Sequence, residues 1–150
     1  MASPERKTTL TIRVLRGDPI KGRGAYPLPS FEVVFVVKDG PKSLFPPYAV
    51  AKSYEEYAEL KDNLERINVG KGLGDKSVAI ESEFPPPSDN KEELKHPHLI
   101  KEPMIKQRLE MISAWLTELF ELIGEMDDPV MKTRICRCLG LFFNWFFDDP

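Results

Sequence analysis

Cysteine is nearly missing from this chain: 150 residues hold two, Cys136 and Cys138. Two thiols so close together cannot form a disulfide framework, and the expected compartment is one that keeps thiols reduced, the cytoplasm. On a helix, residues two apart point to nearly opposite sides, so these two do not share a metal ion. Histidine is equally scarce. His96 and His98 flank Pro97 beside Glu92 and Glu93, far short of a four-ligand pattern, and a solvated loop is expected there. There is no apolar run of membrane-spanning length, and the opening "MASPERKTTL" lacks the apolar core of a secretory leader. Proline is plentiful at 14 residues, yet no P-x-x-P spacing occurs, which speaks against an SH3 ligand. An excess of positive charge is also lacking: the net charge of −3 argues against a general nucleic-acid binder.

What remains has the balance of an ordinary folded domain, 41% hydrophobic and 30% charged. The length suits a single domain over 1–150, with a core from about residue 8 to residue 143. Charge is unevenly spread. Residues 1–54 carry nine Lys/Arg against four Asp/Glu, and residues 55–150 carry twelve against twenty. Such asymmetry offers an anionic partner one basic face, although scattered surface charge ordinarily serves solubility.

Periodicity divides the chain into strands first and helices after. "TLTIRVLRG" alternates Leu10, Ile12 and Val14 with polar residues, as a half-buried strand does. "SFEVVFVVKDG" is a longer, more apolar strand stopped at Asp39-Gly40-Pro41. A third strand runs from Tyr48 to about Lys52. The rhythm then becomes helical, with Tyr54, Tyr57, Leu60, Leu64 and Ile67 three or four apart, and Ser53 with Glu56 forms an S-x-x-E capping box. The segment "KEELKHPHLIKEP" is expected to be irregular. From Met104 to about Gly124 an amphipathic helix presents Leu109, Ile112, Leu116, Leu119 and Ile123 on one face. Asp128-Pro129 reads as an N-cap followed by proline at the first helical position. The expected fold is therefore α+β: a three-stranded antiparallel meander followed by a helical subdomain with a proline-rich loop.

No catalytic motif survives inspection. "GKGLGDKS", Gly70 to Ser77, misses the phosphate-binding loop because Asp75 stands where the second glycine belongs. The "VAIESEFPPP" that follows does not read as the required helix. The acidic pairs Glu81/Glu83, Asp127/Asp128 and Asp148/Asp149 lack an accompanying nucleophile and base, and capping or solubility accounts for them. Neither enzymatic activity nor a cofactor is expected.

The order of three strands, a helix entered at a basic-then-aromatic junction, a proline loop and a long helix resembles the PX (phox-homology) family of phosphoinositide-binding modules. The resemblance runs from about Thr8 to Phe143 and is carried by "YAVAKSYEEYAELKDNL", "FPPPSDN" and "IKQRLEMISAWLTELF". It implies a groove for an inositol headgroup, phosphatidylinositol 3-phosphate above all, and peripheral attachment to endosomal-type membranes. By that resemblance Tyr54 packs under the inositol ring, and Arg108 meets ring hydroxyls or a phosphate. Lys52 matches a basic residue of the strand-helix junction. The lysine that meets the 1-phosphate is sought among Lys91, Lys95, Lys101 and Lys106. In the family's membrane-entering loop stand Leu99 and Ile100 as apolar wedges, with basic neighbours that add about 1 kcal/mol each near an anionic surface.

The departure lies at Ser53, which takes the place of the arginine that grips the 3-phosphate. A guanidinium pairs bidentately with phosphate, whereas a serine hydroxyl offers one neutral donor, here engaged by the capping box. Period-two alternation also turns Lys52 away from Ser53. The helix N-terminus still favours an anion, but Glu55 and Glu56 compete for the same field. A weakened or altered 3-phosphate site is the first expectation. The alternative is a PX-fold protein-interaction or scaffold domain that has lost lipid binding. The aromatic end "LFFNWFF" offers a surface for a protein partner or self-association, and the terminal "DDP" fits a domain cut from a longer protein.

Overall fold

A computed structural model describes residues 8–21, 26–43, 46–69, 82–87 and 90–144. The "GKGLGDKS" segment, Glu81, Asp148, Asp149 and the aromatics Trp145, Phe146 and Phe147 lie outside the described residues. Three long strands form the sheet: β1 (Thr8–Arg16), β4 (Ser30–Asp39) and β6 (Tyr48–Ser53). β4 is central and antiparallel to both neighbours, with Ile12 opposite Phe35 on one side and Val33 opposite Val50 on the other. A short pair, β2 (Ile20–Lys21) with β3 (Pro27–Leu28), interrupts the β1–β4 connection, and β5 (Lys42–Ser43) folds back onto β4. That last hairpin needs a glycine, because Gly40 has φ +63°. Gly17 is required for a different reason: a Cβ there would lie 2.4 Å from Ser30 Oγ. Its own N–H donates to the Ser30 carbonyl, and the Ser30 hydroxyl donates to the Asp18 carbonyl.

Four helices follow among the described residues: α1 (Tyr54–Val69), α2 (Lys91–Lys95), α3 (Glu102–Glu125) and α4 (Pro129–Phe143). A single 3₁₀ turn, Pro97–Leu99, joins α2 to α3. The α+β architecture with a three-stranded antiparallel sheet agrees with the sequence pattern. The 91–99 segment departs from it, since what reads as irregular is a short helix and a turn. Pro97 stops α2 at Lys95, as proline does, but leaves Leu94 N–H free to reach the Asn90 carbonyl. α3 starts two residues before Met104, because Pro103 in the first turn forgoes only an N–H that has no helical partner.

Alternation along β4 buries Phe31, Val33 and Phe35 on one face. Against them pack Tyr57 and Leu60 of α1, Ile112, Trp115, Leu116 and Leu119 of α3, and the four-residue ladder Met131, Ile135, Leu139 and Phe143 of α4. Leu109, expected on the buried stripe of α3, is only half-buried, and Ile105, Arg108 and Trp115 join the stripe instead. Phe35 is clasped edge-on by Phe120 and Phe143. The Tyr48 hydroxyl donates to the carbonyls of Phe143 and Asn144 where α4 ends in a left-handed residue. Cys136 and Cys138 are half-buried thiols on α4, and burial raises the Cys138 thiol above its ordinary pKa. Among the described residues no helix is long and apolar enough to cross a membrane.

Candidate functional site

The strand-to-helix junction is built by reciprocal capping. Glu56 N–H donates to Ser53 Oγ at 3.3 Å, while Ser53 N–H and its hydroxyl both reach Glu56 Oε1, at 3.1 and 3.2 Å. Ser53 is thus the last residue of β6 and the cap of α1, and it is buried. The pleat sends Lys52 to the other side, as the alternation requires. Its ammonium lies 3.6 Å from Glu56 Oε2 and 5.1 Å above the Phe142 ring, toward α4.

One residue into α1, Tyr54 turns its ring under the opening turns of α3. Its hydroxyl donates to the Pro85 carbonyl at 2.7 Å, which anchors the proline run to α1. Phe84 stacks beside it, with ring centroids 5.8 Å apart, and is itself packed against Trp115. The guanidinium of Arg108 lies above the Tyr54 ring, its Cζ 3.7 Å from the centroid. Helical geometry explains the approach: Arg108 is three residues on from Ile105 and four before Ile112, so it shares their inward stripe. Only 7% of Arg108 is exposed, and its Nε has no hydrogen-bond partner among the described residues. Burial lowers the arginine's pKa from its ordinary value, opposed by the charge of Glu55 and Glu93 and by Tyr54. The phenol of Tyr54 is raised, first by burial, with Arg108 pulling the other way. Cation and ring therefore support each other in a place where an unpaired charge is costly to keep.

Around this pair runs a narrow cleft. Leu28 and Pro29 come from β3 and its exit, Phe31 from β4, Tyr54 and Glu55 from α1, Pro97 and Ile100 from the 3₁₀ turn, and Ile105 and Arg108 from α3. Its cavity of about 10 Å³ has room for one water. Of the residues named from sequence, Tyr54 and Arg108 meet at its base, and Ser53 caps the helix that forms one wall.

The others are placed elsewhere. Ile100 is a correction to its expected role as an exposed wedge: it is buried in the cleft wall, because the 3₁₀ turn points it inward just before α3 begins. Leu99, one residue earlier, is 53% exposed. Lys101 is the exposed residue preceding α3, and Lys106 is rotated about 100° from Ile105, away from the cleft. Lys106 lines a second, wider depression of about 440 Å³ with Arg16, Glu102 and Pro103. There the Arg16 guanidinium pairs with both oxygens of Glu102, which lowers the carboxyl's pKa and raises the arginine's. Lys91 and Lys95 sit on α2 and are exposed.

Sequence reasoning did not find the Pro85 carbonyl or the Phe84 stack, and backbone acceptors leave no composition signal. It also missed Tyr26, whose ring stacks on His98 at 4.2 Å. Among the described residues no three His, Cys, Asp or Glu gather as a metal site. Comparison with family models, curated proteins and solved structures returns no match to this chain.

Proposed function

We propose that this chain is a PX-like, phosphoinositide-binding module that attaches peripherally to endosomal-type membranes from the cytoplasm, with a weakened 3-phosphate site. It binds rather than catalyses. The observation that carries the reading is the Arg108–Tyr54 contact: a buried guanidinium, its Nε without a hydrogen-bond partner among the described residues, held over an aromatic ring beside a helix N-terminus. A planar cation so placed suits a phosphate oxygen, and the ring beneath it holds the guanidinium in place. Exposed Leu99, with Lys95 and Lys101 nearby in the chain, supplies the means of touching the bilayer. Phosphatidylinositol 3-phosphate is the lipid the family resemblance favours. The grip is weak because Ser53 is occupied by Glu56 and Lys52 by Glu56 and Phe142.

A second reading, a protein-interaction domain on the same fold, draws on the small size of the cleft. An inositol phosphate is far larger than one water, so the cleft must widen to admit it. Sedimentation with phosphatidylcholine vesicles, each doped with one phosphoinositide, separates the two. The lipid reading expects at least one doped vesicle to bind above the neutral control and Arg108→Ala to weaken that binding at least about tenfold, with salt weakening it further. Binding to no doped vesicle by the folded protein favours the protein-interaction reading.

A further inference from the structure

We propose that Glu55 sets how much negative charge the cleft accepts, admitting an inositol ring that carries one phosphate monoester besides the phosphodiester to its lipid and rejecting rings that carry two or more such monoesters. The inference rests on the phosphoinositide reading and names the determinant of its selectivity. The cleft lining holds one cation, Arg108, and one carboxylate, Glu55; the rest of it is apolar or aromatic. Lys52 is turned toward Glu56, and Lys101 and Lys106 lie outside the lining. The lining is thus neutral in sum, and a single phosphate monoester, with a charge of about −1.5 to −2, already exceeds the positive charge of Arg108. The first-turn N–H groups of α1 add a partial positive charge, but Glu55 sits in that same turn. Ring hydroxyls can donate to the Glu55 carboxylate, whereas a second phosphate monoester, mostly doubly ionised at neutral pH, meets like charge. The carboxylate's field reaches the bottom of the cleft: with Glu93 it opposes the lowering of the Arg108 pKa by burial, and it adds to the raising of Tyr54. A second, independent observation points the same way: Arg108 is nine-tenths buried, and its Nε has no hydrogen-bond partner among the described residues.

The test compares the intact chain with Glu55→Gln and with Glu59→Gln. The latter removes one equal charge from an exposed position one helical turn further along α1, outside the cleft lining. Each is titrated with phosphatidylcholine vesicles carrying phosphatidylinositol mono-, bis- or trisphosphate, and with the free headgroups by calorimetry. Thermal unfolding establishes that both variants are folded. The expected result is a gain on the order of tenfold for bisphosphate with Glu55→Gln, a gain of less than about threefold for monophosphate, and no change in either with Glu59→Gln. Equal gains for every headgroup, the same gain from Glu59→Gln, or unchanged selectivity in a protein that does bind would overturn the filter alone. Binding of no headgroup by the parent chain or by Glu55→Gln sinks both the filter and the phosphoinositide reading.

Discussion

Ser53 and Arg108 show how differently two residues of one site declare themselves. The capping box at Ser53 and Glu56 is local, four residues long, and was legible because every atom it uses lies within one turn. Truncation of Ser53 to alanine is expected to cost about 1 kcal/mol, read from urea unfolding, with the sheet unchanged. The burial of Arg108 was not legible in the same way. An arginine near a helix start ordinarily extends into water, and its partner Tyr54 reaches it only after the sheet and α1 are assembled. Leu99 and Ile100 make the same point, as neighbours of like character that part company only when a 3₁₀ turn points one outward and the other inward.

Elements were easier to read where a period ran long. β4 alternates cleanly, and α4 repeats its core residues every fourth position from Met131 to Phe143. Its start is equally explicit, since Asp128 accepts from the N–H groups of Val130 and Met131 at 3.0 and 3.2 Å. Removing that acceptor with Asp128→Ala should lower stability by about 1 kcal/mol. Phe143→Ala at the other end should lower it by about 3–5 kcal/mol, because the ring is fully buried between Phe35 and Phe142. Urea titration of the two variants side by side checks the ratio. Short elements defeated the pattern: α2 has five residues and β2, β3 and β5 two each, lengths over which no periodicity can develop.

The whole molecule is closed by long-range polar contacts as well as by its core. Tyr57 is completely buried and donates through its hydroxyl to the Phe31 carbonyl at 2.9 Å, fastening α1 to the central strand. Burial raises this phenol far above its ordinary value of 10.0, with Glu56 adding to the shift. In the unfolded chain the same group ionises near that ordinary value. The folded protein therefore holds a proton that the unfolded one has lost, and the stability contributed in full below pH 10.0 declines as pH rises toward the folded value. The slope approaches about 1.4 kcal/mol per pH unit from this residue alone. Ultraviolet titration should show tyrosinate forming at exposed rings first, while the Tyr57 signal appears only together with unfolding. Tyr57→Phe should flatten the decline. At neutral pH that variant should cost about 1 kcal/mol for the lost hydrogen bond.

The narrowness of the cleft beneath Pro97 and Ile100 also bears on how fast and how tightly anything can bind. If the open form is a fraction f of the molecules, the apparent dissociation constant is the intrinsic one divided by f. A population of about 1% open would weaken binding about a hundredfold without altering one contact to the ligand. On the proposed function, replacing Ile100 with a smaller residue should raise f by loosening the wall, and vesicle sedimentation beside urea unfolding should show tighter binding with lower stability. Affinity and stability would then move in opposite directions from a single side chain.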